Sequence, residues 1–110
     1  MTTATPELDV LRHSAQEACA LLKALSNPDR LMLLCEMAQG EKTVTELQEA
    51  LGITQPTLSQ QLAVLRAQAL VDTRREGKNI FYQLASPQAM AVMQVLYQQF
   101  CQPNRKGNAS

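Results

Sequence analysis

The chain has 110 residues and carries ten Lys and Arg against ten Asp and Glu, so its formal net charge is zero. A chain of this length makes one small domain, which buries only about 60 to 70 % of its unfolded surface. Helices with uncovered apolar stripes then favour pairing with a second copy, so we expect a homodimer. The longest apolar runs, such as Leu31–Cys35, have five residues. They are too short for a signal core or a membrane span, which predicts a cytoplasmic protein without a membrane partner.

The two halves of the chain differ in charge although the total is zero. Residues 1–53 hold four Lys or Arg against eight Asp or Glu, whereas residues 54–110 hold six against two. The C-terminal half is therefore the part suited to an anionic partner such as nucleic acid.

Three cysteines, Cys19, Cys35 and Cys101, stand 16 and 66 residues apart. These separations match neither a zinc ribbon nor a thioredoxin-like pair, and a reducing cytoplasm disfavours a permanent structural disulfide. A thiol oxidoreductase is disfavoured as well, because the sequence also lacks a cofactor motif. We expect neither enzyme activity nor a cofactor.

The first two helices are predicted from apolar spacing and capping residues. Residues 1–6 are predicted to be a disordered arm, followed by a helix from Glu7 to Leu25. Asn27 and Pro28 suit the start of a second helix that runs to about Gln39. The apolar stripes are Leu11, Ala15, Ala18, Leu22 and Leu25 in the first helix, and Leu31, Leu34, Cys35 and Ala38 in the second, which Gly40 closes.

Two short helices joined by a tight turn are predicted next. Thr43 and Glu46 fit a capping box, Gly52 supplies the turn, and Thr54 is predicted to cap a fourth helix over about Gln55–Gln68. The predicted buried side of this fourth helix is Leu58, Leu62, Leu65 and Ala69, and its far side carries Pro56, Ser59, Gln60, Ala63 and Ala67. Ser and Gln on such a side can hydrogen-bond base edges in a major groove, although an ordinary solvated surface shows the same pattern.

A basic β-hairpin follows the fourth helix. Strands are predicted at Val71–Glu76 and Ile80–Leu84, around a short tip that contains Gly77. The second strand alternates at Ile80, Tyr82 and Leu84 as a half-buried strand does, and the basic residues near the tip are Arg74, Arg75 and Lys78.

The remaining residues complete the predicted fold. Pro87 begins a last helix that ends near Cys101, and residues 102–110 are predicted to be a flexible tail. The order ααααββα predicts a winged helix-turn-helix domain over residues 7–101, mainly α with a small β-hairpin. A polar helix face and a basic loop tip then lie together, which fits a groove of double-stranded DNA and its phosphates.

Three segments of the chain occur in a characteristic order: Leu25–Leu31, Gln55–Leu65, and Arg74–Lys78 running into Phe81 and Tyr82. In residues and spacing they resemble the ArsR/SmtB family of bacterial winged-helix repressors, over residues 7–101. The resemblance implies a homodimer held by the first and last helices, with two recognition helices in successive major grooves of a palindromic operator. One departure is Gln61, which stands where many members carry His.

The resemblance also implies which residues contact DNA. By position these are Gln55, Thr57, Ser59 and Gln60 on the fourth helix, and Arg75 and Lys78 at the hairpin. Arg74 is less suited to such a contact, because strand alternation directs it opposite to Arg75.

The metal-ligand sets of the family do not map onto this chain. Residues 43–51 contain no Cys, residues 86–101 contain no Asp, Glu or His, and His13 is the only histidine, so we expect no metal. Cys35 and Cys101 are instead similar to the cysteine pair of the BigR-like branch, whose members sense persulfide and redox state. In that branch, reactive sulfur species join the two sulfurs through a disulfide or a longer bridge, and operator DNA is released.

We therefore expect a dimeric transcriptional repressor that releases operator DNA when Cys35 and Cys101 are oxidised or bridged by reactive sulfur species. Packing of Cys35 in the core, with Cys19 as a packing or incidental thiol, is the alternative interpretation of these residues. The alternative functions are an anti-silencing activator of the same fold, a metal-sensing repressor, and a dimer whose winged helix binds protein.

Overall fold

The computed structural model describes residues 4–101, with side chains from residue 7 onward. Within them lie five helices and one three-stranded antiparallel sheet, which confirms the predicted winged helix-turn-helix. The elements are α1 Ala4–Leu25, α2 Pro28–Ala38, β1 Lys42–Thr43, α3 Val44–Leu51, α4 Gln55–Ala67, β2 Val71–Glu76, β3 Asn79–Leu84 and α5 Pro87–Phe100. Helix α1 begins three residues before the predicted start; residues 1–3 of the predicted arm and the predicted tail 102–110 lie outside the described residues.

Local side-chain chemistry sets the starts of α2 and α3 as predicted. The Asn27 side chain accepts a hydrogen bond from the Arg30 backbone N–H at 3.1 Å. Thr43 and Glu46 form the full capping box, with distances of 3.1 Å and 2.9 Å for its two hydrogen bonds. Gly52 ends α3 in the left-handed region, at φ 70°, where a residue without Cβ is favoured.

Two predictions about the ends of α4 are wrong. Thr54 is the N-cap residue, but its side chain caps no backbone N–H; its hydroxyl lies 3.4 Å from that of Thr57. Ala69 does not continue the buried side of the helix, because the chain leaves the helix after Ala67 and Ala69 is exposed at φ 61°. The backbone N–H groups of Ala69 and Leu70 donate to carbonyls of the last turn, at 2.9 Å and 3.0 Å, which is a Schellman termination.

The sheet has the strand order β1-β3-β2 and so contains one strand more than the predicted hairpin. Thr43 pairs with Phe81 across β1 and β3, and this contact ties the start of α3 to the wing. At the other end of β3, Asn79 pairs with Glu76 and leaves a two-residue turn of Gly77 and Lys78. The second wing strand therefore begins one residue before the predicted Ile80.

The core lies where α2, α3, α4 and the first half of α5 meet. Its fully buried large side chains are Leu33, Leu34, Leu47, Leu58 and Leu65. Leu62 is also buried, so the predicted apolar side of α4 is confirmed at Leu58, Leu62 and Leu65. The buried side of α2 is Leu33, Leu34 and Met37, whereas Leu31 and Cys35 are half-buried, which corrects the predicted stripe. In β3, Tyr82 and Leu84 pack against the core, but Ile80 near the tip is exposed.

Helices α1 and α5 expose large apolar side chains. On α1, Leu11 is 64 % exposed and Leu22 is 58 % exposed; on α5, Phe100 is 81 % exposed. The radius of gyration is 17.0 Å, against about 13 Å for a compact chain of this length. Both observations show that α1 and α5 extend from the core. None of the described helices is long and apolar enough to cross a membrane.

Candidate nucleic-acid interface and thiol pair

Helix α4 presents one side to solvent and buries the other. Gln55, Ser59 and Gln60 are exposed and Thr57 is half-buried. On the opposite side, Leu58 and Leu65 have no exposed surface. The turn at Gly52 and the buried Ile53 hold the N-terminus of α4 against α3, and the polar side of α4 faces outward.

The wing carries two exposed basic side chains. Arg75 lies near the end of β2, opposite Ile80, and Lys78 lies in the two-residue turn. Neither side chain forms a salt bridge within residues 7–101. Their charges are thus available to an anion.

Arg74 is engaged inside the protein. Its guanidinium donates to Glu41 at 2.6 Å and 2.8 Å and to Glu76 at 2.9 Å, and it lies 4.7 Å from the ring centre of Phe81. The hydrogen bonds that Arg74 donates hold the pKa of Glu41 below its usual value, and the Glu41 and Glu76 carboxylates that accept them raise the pKa of Arg74. Arg74 therefore stabilises the wing, in line with its predicted orientation away from Arg75.

Cys35 lines an open cleft of about 700 Å³ between α2 and α5. The other residues of this cleft are Ala38, Gln39, Met90, Met93, Gln94, Tyr97 and Gln98. The Cys35 thiol is half-buried, and this burial, followed by the charges of Cys101 and Glu36, raises its pKa.

Cys101 caps the C-terminus of α5. Its backbone N–H donates to the Tyr97 carbonyl at 2.8 Å, and the residue is exposed. Cys19 is exposed on α1, and all three thiols are unbonded. Of the two thiols predicted to form a pair, Cys101 is thus accessible at the end of α5 and Cys35 is half-buried on α2, which packs against α5.

Comparison with known proteins identifies the family. A model of the family described as bacterial regulatory protein, arsR family, matches residues 27–73. The biofilm growth-associated repressor of Agrobacterium fabrum is 53 % identical over 96 residues, which cover 87 % of this chain and 82 % of that protein. The chain belongs to the arsR family of bacterial regulatory proteins. It is a transcriptional regulator rather than an enzyme, as the sequence predicted.

Solved structures of similar proteins have the same fold. The crystal structure of the transcriptional repressor BigR from Xylella fastidiosa has a TM-score of 0.79 and 48 % identity, covering 86 % of this chain and 96 % of that one. Reduced HlyU from Vibrio cholerae has a TM-score of 0.80 and 39 % identity, covering 84 % and 97 %. Vibrio cholerae HlyU, described as a transcriptional activator, is 39 % identical over 98 residues, covering 89 % of this chain and 91 % of that protein.

The one histidine of this arsR-family chain has an ordinary surface setting. His13 lies 3.4 Å from Glu17, one turn along the exposed side of α1. Within residues 7–101, no group of three or more His, Cys, Asp or Glu side chains could hold a metal ion.

Sequence reasoning missed Glu41 and Arg30. Arg74 donates a hydrogen bond to Glu41, 33 residues away in sequence, and Arg30 donates one to Gln61, 31 residues away. Helix and strand periodicity does not predict contacts between residues so far apart in sequence. Arg30 lies in a segment that carries the family resemblance, but the resemblance did not indicate its hydrogen bond to Gln61.

Proposed function

We propose that this chain is a dimeric transcriptional repressor that binds operator DNA with both thiols reduced and releases it when Cys35 and Cys101 are bridged by reactive sulfur species. The observation that supports it most is that Cys35 lines the cleft between α2 and α5 and that Cys101 is the C-cap residue of α5. The repressor assignment is supported by the 53 % identical relative, a biofilm growth-associated repressor.

Operator DNA is contacted by α4 and the wing in this proposal. Helix α4 enters a major groove, where the exposed amides of Gln55 and Gln60 can hydrogen-bond adenine and the hydroxyl of Ser59 can accept or donate. Thr57, half-buried at the first turn, offers its hydroxyl to the backbone. Phosphates of the adjoining groove lie at Arg75 and Lys78, whose side chains are exposed.

The dimer is formed through α1 and α5. Exposed apolar side chains on these helices would otherwise leave a large hydrophobic surface in water. They are Leu8, Val10, Leu11 and Leu22 on α1, and Val95, Tyr97 and Phe100 on α5. A two-fold axis through this surface would present two α4 helices for successive major grooves, spaced by about 34 Å.

Reaction with a persulfide begins at Cys101 because its thiol is exposed, whereas Cys35 is half-buried. The Cys101 thiolate attacks the outer sulfur of a persulfide RSSH; the S–S bond breaks, RS⁻ leaves and takes a proton, and Cys101 becomes a persulfide. The Cys35 thiolate then attacks the inner Cys101 sulfur and expels HS⁻, giving a disulfide and hydrogen sulfide. If both cysteines become persulfides, loss of one hydrogen sulfide gives a trisulfide instead.

The bridge changes DNA affinity because it ties α2 to the end of α5. Helix α5 is part of the dimer surface in this proposal, so a bridged α5 favours a dimer whose α4 helices no longer match the groove spacing. A difference of about 3 kcal/mol between the two states would change operator affinity by roughly 100-fold, enough to switch a promoter.

The test is mass spectrometry after treatment with glutathione persulfide, read beside a gel shift. We expect a bridge between Cys35 and Cys101 to form as operator binding is lost, and reductant to reverse both. Cys35→Ser and Cys101→Ser should bind DNA yet fail to respond, whereas Cys19→Ser should respond like the parent protein. A normal response in either of the first two variants would show the bridge model to be wrong.

A second candidate is an anti-silencer, which activates transcription by displacing another DNA-binding protein. It is favoured by the 39 % identical relative that is described as a transcriptional activator. Deletion of the gene separates the two functions, because the targets of a repressor rise and those of an anti-silencer fall.

A further inference from the structure

Arg30, near the start of α2, holds acceptors that belong to two other helices. Its Nε donates to the Ala24 carbonyl oxygen at 2.6 Å, and its Nη2 donates to the Lys23 carbonyl oxygen at 3.3 Å. Its Nη1 donates to Oε1 of Gln61 on α4, at 2.9 Å. One guanidinium therefore joins the last turn of α1 to the middle of α4.

A cleft of about 320 Å³ opens between α1 and α4 beside this guanidinium. The cleft is lined by Ala20, Lys23, Ala24, Arg30, Val64 and Gln68. Where side chains leave such a space, packing alone constrains two helices weakly, and a charge-assisted hydrogen bond of fixed geometry carries more of the constraint. The planar guanidinium suits this role because its donors point in fixed directions.

We propose that Arg30 is a positioning residue for operator reading, which sets the orientation of α4 relative to α1 through its hydrogen bond to Gln61. The inference rests on the proposed function, in which α4 reads the operator and α1 contacts the second copy. Leu11 and Leu22 of α1 are exposed and contact the second copy in the proposed dimer, so the position of α1 follows the state of that dimer. A movement of α1 therefore changes the orientation of α4 through the hydrogen bonds of Arg30.

This role predicts a loss of sequence discrimination rather than a general loss of DNA binding. Hydrogen bonds to base edges need close geometry, whereas phosphate contacts tolerate small rotations of a helix. A misoriented α4 therefore loses affinity for the operator and keeps most of its affinity for random DNA. Partial unfolding lowers both affinities by the same factor, so the ratio of the two affinities separates positioning from stability.

The experiment is a double-mutant cycle on Arg30→Met and Gln61→Leu. The probe is a duplex selected from a random library by the parent protein, with a shuffled duplex as the random DNA, and both affinities are measured by fluorescence anisotropy at one salt concentration. Each single variant should lower the operator-to-random ratio by about tenfold, and the double variant should lower it no further than the larger single loss, because both act through one bond.

Gln61→Glu is the matched control, since it keeps an acceptor oxygen at the same reach. Its added charge should weaken binding to both duplexes alike and leave the ratio unchanged. If Arg30→Met does not fold, Arg30→Lys replaces it; a single ammonium cannot hold both helices, so the ratio should still fall. An unchanged ratio in the Arg30 variant, or additive losses in the cycle, overturns the positioning role. A parent protein without operator preference instead refutes the proposed function.

Discussion

Arg74 and Glu41 form a two-point ion pair, with Nε to Oε2 at 2.6 Å and Nη2 to Oε1 at 2.8 Å. The pair joins the middle of β2 to the residue just before β1. Since β1 leads directly into α3, the wing and the helix-turn-helix are fastened together at this point. This ion pair adds to the pairing of β1 with β3 and includes a half-buried carboxylate that can be titrated.

Acidification should weaken the ion pair between Arg74 and Glu41. The pKa of Glu41 lies below its usual value in the folded protein because Arg74 donates to its carboxylate. The ionised Glu41 carboxylate therefore contributes to stability at pH values above its pKa in the unfolded chain. This contribution is lost as the pH falls through the pKa of Glu41 in the folded protein. We expect the free energy of unfolding to fall more between about pH 5 and about pH 3 in the parent protein than in Glu41→Gln. Urea unfolding followed by circular dichroism measures the free energy of unfolding of both proteins. An equal decrease in the parent protein and in Glu41→Gln would contradict the ion pair.

The wing variants should separate a structural arginine from a DNA contact. Lys78→Ala should weaken operator and random DNA alike and reduce the slope of log affinity against log salt by about one unit, because one phosphate contact is lost. Arg74→Ala should leave that slope unchanged, since its guanidinium is held by Glu41 and Glu76. A reduced slope for Arg74→Ala would place that side chain on a phosphate.

Replacement of Gln60 tests base reading by α4. The side chain is exposed on the polar side of the helix, so Gln60→Ala should fold normally. It should cost about 1 to 3 kcal/mol on operator DNA, with a smaller loss on random sequence. Ala63→Ser, on the same side of α4, is a matched control for a mild surface change. Equal losses on both duplexes would refute a role for Gln60 in base reading.

The C-terminus of α4 offers a stability test. Ala69 holds φ 61° in an exposed position, and an L-residue with a Cβ is strained there by about 1 kcal/mol. Ala69→Gly should therefore raise the free energy of unfolding by roughly 0.5 to 1 kcal/mol, whereas Ala63→Gly, at an exposed position inside α4, should lower it by about the same amount. Urea denaturation measures the free energy of unfolding of both variants. A lower value for Ala69→Gly than for the parent protein would contradict the left-handed conformation of Ala69.

The sequence predicted several parts of the fold that depend on near neighbours, although the side-chain cap predicted at Thr54 is absent. The capping box of Thr43 and Glu46 and the turn at Gly52 are local chemistry, and each was confirmed. The apolar side of α2 was misplaced because Leu31–Leu34 are all apolar, so that spacing alone cannot select which of them faces the core. Tertiary packing selects Leu33 and Met37.

Other features need contacts that no spacing reveals. Strand β1 has two residues, too few for an alternating pattern, and it exists because Thr43 pairs with Phe81. At the candidate site, the sequence indicates that Gln60 and Lys78 are suited to DNA and that strand alternation directs Arg74 away from Arg75, but only the structure shows the ion pair of Arg74 with Glu41.

The reactivity of the two thiols gives the last prediction. A pulse of iodoacetamide should modify the exposed Cys101 before the half-buried Cys35, and the alkylation rate of Cys35 should rise at a higher pH than that of an ordinary thiol, because burial and the Cys101 charge raise its pKa. Cys101→Ser removes that charge, so the pH midpoint for Cys35 should move down, whereas Cys19→Ser should leave it in place. Mass spectrometry of the alkylated peptides measures each midpoint. If Cys101→Ser leaves the Cys35 midpoint unmoved, the two sulfurs do not interact in the reduced protein, and a bridge between them would need a larger movement of α5 than the proposal assumes.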